Sequence, residues 1–262
     1  MNAVDAQSIE TYPGAQSISR AIALLKCFND TRPEWSLSEL SDYLSLNKTT
    51  THRMLAALEG EGLVERSGAG NYRLGAELIA LGGCAMRSNE LRNTARPFME
   101  TLTRETGEAV TLEILVRDQV QILDEVSSRD PLDSALNIGA RLPIHATSTG
   151  KLLLAYQSGD AIDAMLERPL AALTPHTLVE PNALRAQLAA IREEGYATST
   201  HELDIGFTAV AAPVYSQSGA VAAALSVGGP VLRLHGDAFP AVVAAVQVAA
   251  RRISRRLGYQ PG

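Results

Sequence analysis

The chain has 262 residues, 46% of them hydrophobic and 20% charged, with a formal net charge of −6. That length predicts one large or two modest domains with apolar cores of their own. The acidic balance excludes a nonspecific nucleic-acid coat but leaves room for a small DNA-reading module on an acidic body. Cys27 and Cys84 stand apart from each other and from any histidine, so neither a disulfide framework nor a zinc site is expected, and no metal or cofactor. No apolar run approaches a membrane span, and an N-terminus carrying Asp5 and Glu10 is unlike a secretory signal, so the expected compartment is the cytoplasm.

Residues 1–14 show no periodicity and end in Pro13-Gly14, which predicts a flexible arm. From Ser17, the residues Ile18, Ala21, Ile22, Leu25 and Phe28 fall on one helical face, and Asn29-Asp30 with Pro33 ends that helix. Ser36-Leu37-Ser38-Glu39 is a capping box opening a short second helix through Leu40 and Leu44. Asn47 is a good cap for a third helix running to Glu59. On that helix Thr51, Met54, Leu55 and Leu58 form the inward face, leaving Lys48, Thr49, Thr50, His52 and Arg53 at or near the outer one. Hydroxyls and bases at a helix N-terminus suit phosphate oxygens and base edges, and the helix dipole adds to the attraction.

Leu63–Arg66 and Asn71–Leu74 read as strands around Ser67-Gly68-Ala69-Gly70, a hairpin turn. Three helices and a hairpin make a winged helix-turn-helix over residues 15–74, with Arg66 and Arg73 placed to meet the DNA backbone or minor groove. From Ala15 to Gly75 seven bases face seven acids, so geometry and not net charge must carry the DNA reading. Residues 75–88 contain Leu78, Ile79, Leu81, Ala85 and Met86, an apolar linker helix suited to covering by a second copy of the chain.

Residues 89–262 read as a second domain of mixed α+β type. Helices are expected through Leu91–Leu102, Leu184–Ile191 and from about Asp237, and strands over Val110–Val116, Val120–Val126, Val210–Tyr215 and Val221–Val227. The hairpins imply a mostly antiparallel sheet flanked by helices. The final cluster Arg251, Arg252, Arg255 and Arg256 suits the negative end of a helix dipole. The densest polar stretch is Leu142–Ala155, where a hydroxyl-rich loop enters an apolar helix. Free amides there, with the hydroxyls of Ser148 and Thr149, form a receptor for a carboxylate. Ser148-Thr149-Gly150-Lys151 also fits the Ser-x-x-Lys pattern of acyl enzymes, but the companion Ser-Asp-Asn and Lys-Thr-Gly elements are missing, so no catalysis is expected.

Taken together, the chain resembles the isocitrate-lyase-regulator (IclR) family of bacterial transcription factors from about Ser17 to Gly258. The marks are Ser19-Arg20-Ala21, Thr50-Thr51-His52-Arg53-Met54-Leu55, Gly62-Leu63-Val64, Leu142-Pro143, His145-Ala146, Gly150-Lys151, Gly195-Tyr196-Ala197, Glu202, Gly206 and Ala211-Ala212-Pro213-Val214. The resemblance implies a winged-helix DNA domain, a dimerising linker helix and a GAF-like effector domain. It also implies palindromic double-stranded operators read by a homodimer or homotetramer, and a small organic acid that alters transcription. Carried over by position, Ser148, Thr149, Ser199, Phe207, Ala209, Ser226 and Gly228 would wall the effector pocket. The Thr-Ser-x-Gly-Lys form looks like members that sense aromatic acids. Ser148, Thr149, Ser199 and Gly228 differ from some relatives, so the resemblance does not name the acid. A sensor whose helical module binds protein instead of DNA is the alternative from another class.

Overall fold

The computed structural model describes residues 15–127, 138–236 and 238–260. The arm expected over residues 1–14 and the helix start expected at Asp237 lie outside them. The described chain divides into two units between Ser88 and Asn89.

Polar caps set the first unit. After α1 (Gln16–Leu25), Ser36 opens α2 (Leu37–Tyr43): its hydroxyl accepts from Glu39 N, and the Glu39 carboxylate accepts from Ser36 N at 2.8 Å. Asn47 opens α3 (Lys48–Gly60), its side-chain oxygen accepting from Thr50 N at 2.7 Å. β1 (Val64–Arg66) and β2 (Tyr72–Leu74) pair antiparallel, with Glu65 opposite Arg73. Trp35 lengthens this hairpin by exchanging two backbone bonds with Tyr72, at 3.0 and 2.8 Å, and its indole N–H donates to Cys27 O at 3.1 Å. Around it Leu24, Phe28, Leu40, Leu55, Leu58, Val64 and Tyr72 close an apolar core.

The inward stripe expected for the first helix is rotated. Leu24 is fully buried, whereas Ile18 and Ile22 are 63% and 46% exposed. Leu24, Cys27 and Phe28 satisfy the same three-and-four spacing, and packing around Trp35 selects them. The helix after the hairpin, α4 (Ala76–Ser88), has no buried residue, and Ile79 and Leu81 are exposed.

The second unit runs α5 (Glu90–Thr106), β3 (Ala109–Val116), β4 (Gln119–Val126), β5 (Arg141–Pro143), α6 (Ser148–Ala155), α7 (Gly159–Leu166), α8 (Pro181–Glu194), β6 (Ala197–Thr200), β7 (Phe207–Tyr215), β8 (Val221–Pro230) and α9 (Ala238–Arg256). The strands form one antiparallel sheet in the order β5-β4-β3-β8-β7-β6. Strand alternation sorts the two faces. Val110, Leu112, Val210, Ala212, Leu225 and Val227 pack against Met99 and Leu102 of α5 and Val246 and Ile253 of α9. Ala197, Ala211 and Ala224 turn the other way, onto Leu152 and Leu153 of α6 and Leu184 and Leu188 of α8. β5, β6 and α7 fall where the sequence pattern places no element: β5 has only 3 residues and β6 only 4, too few to display a period. Among the described residues no helix is long and apolar enough to cross a membrane.

The entry to α6 is the tightest joint. Thr147 caps it, its hydroxyl oxygen accepting from Gly150 N at 3.0 Å. A Cβ on Gly150 would lie 2.2 Å from the Ile144 carbonyl oxygen and 2.6 Å from Ile144 Cα, so only glycine lets the loop fold back onto the helix. Gly150→Ala is therefore expected to destabilise the second unit by about 1–3 kcal/mol. Denaturant unfolding of the full chain reads this, and a wild-type midpoint would mean that the 143–147 loop yields freely.

Candidate DNA-reading face and effector cavity

The helical period divides α3 sharply. Thr51, Leu55 and Leu58 are buried and Met54 is half-buried, while Lys48, Thr49, His52 and Arg53 are exposed and Thr50 lies between. Thr51 spends its hydroxyl on Asn47 O at 3.2 Å. No ion pair among the described residues engages Lys48 or Arg53, so both charges stand in solvent on one edge of the helix. The hairpin arginines are placed differently. Arg73 bonds Glu65 at 2.7 Å, and Arg66 lies 3.4 Å from Glu59 with its guanidinium carbon 5.0 Å from the Tyr72 ring centre. Such exposed pairs hold by only about 0.2–1 kcal/mol, which a phosphate contact can outbid.

In the second unit a cavity opens between the sheet and the start of α6. All seven residues expected to wall an effector pocket line it: Ser148, Thr149, Ser199, Phe207, Ala209, Ser226 and Gly228. Strand pairing explains why they converge. Ser199, Ala209, Gly228 and Ala109 are successive cross-strand partners over β6, β7, β8 and β3, and Ser226, Thr111 and Glu125 form the neighbouring row. Directly opposed residues share one face of a sheet, so both rows floor the cavity. Gly228 leaves room for Phe207, since a Cβ there would lie 2.7 Å from the ring's Cζ. The Ser199 hydroxyl donates to Ala146 O at 3.0 Å, tying β6 to the loop before α6.

Thr147 takes the capping role, which leaves Ser148 and Thr149 as the first two helical residues, whose amides have no partner within the helix. The Thr149 hydroxyl, however, is already spent. It donates at 2.5 Å to Glu113, whose other carboxyl oxygen accepts from Thr111 at 2.6 Å. Burial pushes the Glu113 carboxyl above its usual range; the two threonine bonds pull it down, and Glu125 pushes it further up. Sequence reasoning missed Glu113. It sits in a strand-like apolar run, and strand alternation puts it on the same face as Ala109 and Thr111, beside the β4 bulge at Leu123. A lone acid at an inward strand position was the signal that could have revealed it.

The Ser-x-x-Lys pattern acquires a structural explanation. Lys151 is fully buried and its ammonium bonds Glu202 at 2.6 Å. Burial lowers the pKa of Lys151, and Glu202 acts against that. The pair ties α6 to the 201–206 loop, whose Leu203 and Asp204 close one side of the cavity. A lysine bonded in this way donates to Glu202 and offers no lone pair to Ser148.

The sequence pattern described as the bacterial transcriptional regulator IclR C-terminal matches residues 84–255, and that of the IclR helix-turn-helix domain matches residues 17–68. The glycerol operon regulatory protein of Streptomyces coelicolor is 37% identical over 246 residues, covering 93% of this chain and 96% of its own length. The transcriptional repressor IclR of Escherichia coli is 30% identical, covering 93% of this chain and 90% of its own. Among solved structures, an IclR homolog from Microbacterium hydrocarbonoxydans complexed with 4-hydroxybenzoate superposes with a TM-score of 0.80 at 30% identity, covering 92% of this chain and 99% of that one. With both units matched in order along nearly the whole chain, this protein belongs to the IclR family of bacterial transcriptional regulators.

Proposed function

We propose that this regulator reads a palindromic operator through α3 and changes its transcriptional output when a small organic acid enters the cavity beside α6. The observation that carries the DNA reading is the free polar edge of α3, where Lys48, Thr49, His52 and Arg53 are exposed beside Thr50. A helix held from behind by Leu55 and Leu58 can enter the major groove with those side chains on base edges and phosphates. Arg66 and Arg73 would take backbone phosphates by exchanging Glu59 and Glu65 for them.

The convergence of the seven residues on one cavity supports the effector reading, and the 4-hydroxybenzoate held by a relative supplies a chemical precedent. A second copy of the chain would supply the second reader, half-sites being spaced by about 34 Å along the duplex. The exposed apolar residues of α4 support that pairing. An acid that favours one spacing of the readers changes operator affinity by linkage, and the operator changes acid affinity by the same factor. The site binds without catalysing, and the protein works in the cytoplasm.

Two variants test this reading. Arg53→Ala is expected to weaken binding to DNA upstream of the coding region by about 1–3 kcal/mol without unfolding the protein, read by gel shift against competitor. A loss that varies among operator variants places Arg53 on a base, an equal loss on all sequences moves it to a phosphate, and no loss removes α3 as the reader. Thr149→Trp, which puts a bulky ring on the cavity lining, is expected to abolish the organic-acid response while leaving the gel shift intact. An unchanged response would sink the cavity as the effector site.

A further inference from the structure

An organic acid brings a negative charge into a cavity that already holds acids. Among the described residues the lining carries the carboxyls of Glu113, Glu125 and Asp204 and no lysine, arginine or histidine. Lys151, on α6, commits its ammonium to Glu202. The start of α6, where free amides invite a carboxylate, is separated from Glu113 by a single hydroxyl, that of Thr149. Glu113 is 3% exposed, so water does not screen it. Two carboxylates brought together at a group so deeply buried do not both keep their charge.

Resting on the organic-acid reading above, we propose that Glu113 is an effector-binding residue that acts as a neutral carboxylic acid, donating its proton to the effector carboxylate, so that one proton is taken up with each molecule bound. The geometry provides for both states of the site. In the structure the hydroxyls of Thr111 and Thr149 each donate to one Glu113 oxygen, which suits an ionised carboxylate. With the effector bound, the proton sits on the oxygen nearer α6 and points into the cavity. Thr111 continues to donate to the other oxygen, and the Thr149 hydroxyl can turn its own hydrogen to the effector. Burial already favours the neutral acid. The groups around Glu113 do not reverse this. Ala224 of β8 and Ile122 of β4 are its strand partners, Ser226 and Glu125 flank Thr111, Thr149 and Lys151 come from α6, and Glu202 and Asp204 from the 201–206 loop. The one cation among them is matched to Glu202.

The same arrangement sets selectivity. A carboxylate can share the proton of Glu113, whereas an ester or amide of the same acid offers only a weaker acceptor and brings no charge to draw a proton in. Proton uptake also fixes the sign of the pH effect. Affinity is full below the pKa of Glu113 in the empty protein and falls as pH rises above it, approaching about tenfold per pH unit.

Titration calorimetry of the full chain tests this, with 4-hydroxybenzoate and glycerate as probes, in two buffers of different ionisation enthalpy, from about pH 6 to about pH 8. The expected result is uptake of close to one proton per acid bound and an affinity that declines with pH. Glu113→Gln, whose amide can still bond both threonines, should bind the same probe with no uptake and a flat pH profile. Wild-type binding without uptake would overturn the role of Glu113 and leave the organic-acid reading standing. Uptake that persists in Glu113→Gln would place the proton on another group and overturn it as well. Binding of neither probe by wild type or variant would overturn both readings together.

Discussion

The second unit is organised by the joint where the 143–147 loop folds back onto the first turn of α6. Gly150 lies so close to Ile144 that a single methyl would strike backbone, and Thr147 holds the turn by capping Gly150 N. This fixes where the amides of Ser148 and Thr149 point, and places Lys151 inward, where burial makes its bond to Glu202 obligatory. The Ser199 hydroxyl reaches the same loop at Ala146 O, and Thr149 reaches across to Glu113 on β3. Helix, loop and sheet are thus locked by polar bonds around a cavity, with apolar cores behind them on both sides of the sheet. A packed core resists small displacements, so a ligand that moves α6 acts on the 201–206 loop and on β3 together.

What could be read from the chain beforehand divides by the range of the interaction responsible. Asn47, Ser36 and Glu39 make caps within three residues of themselves, and their sequence pattern and observed bonds agree. The face of α3 follows from one helical period and was equally legible. The face of α1 was not. Ile18 and Ile22 compete with Leu24 and Cys27 at similar spacing, and the choice is made by packing around Trp35, which local periodicity does not register. Ser148 and Thr149 were legible at the helix start, but the strand walls of the cavity were reached only through family resemblance, because Ser199, Gly228 and Ser226 become neighbours through strand pairings far apart in the chain. Glu113 escaped even that: its face follows from β3 alternation with Ala109 and Thr111, but its bond to Thr149 joins residues 36 apart in the chain.

The family assignment and the residue roles rest on different grounds. Matches to both units establish a transcriptional regulator. They do not say which side chains differ in purpose from those of relatives, and here the physical reading adds something. The Ser-x-x-Lys pattern, taken alone, suggests an acylating serine. Its lysine instead serves architecture, carrying the loop that closes the cavity. A motif so short acquires meaning only from what each of its atoms is bonded to.

Several charges in both units are matched internally, and each candidate site holds charges that are not. Asp124 is buried against Arg92 and Arg96, Glu108 is held by Arg233, and Arg66 and Arg73 have Glu59 and Glu65. On α3, Lys48 and Arg53 have no such partner among the described residues, and a phosphate backbone would provide one. In the cavity the imbalance has the opposite sign: among the described residues Glu113 has two hydroxyls for company and no cation on the lining. A buried carboxylate is relieved either by a cation or by a proton. A ligand that is itself an anion leaves only the proton, which makes the protonation of Glu113 a condition of binding such a ligand, and makes acidity part of what this regulator reads.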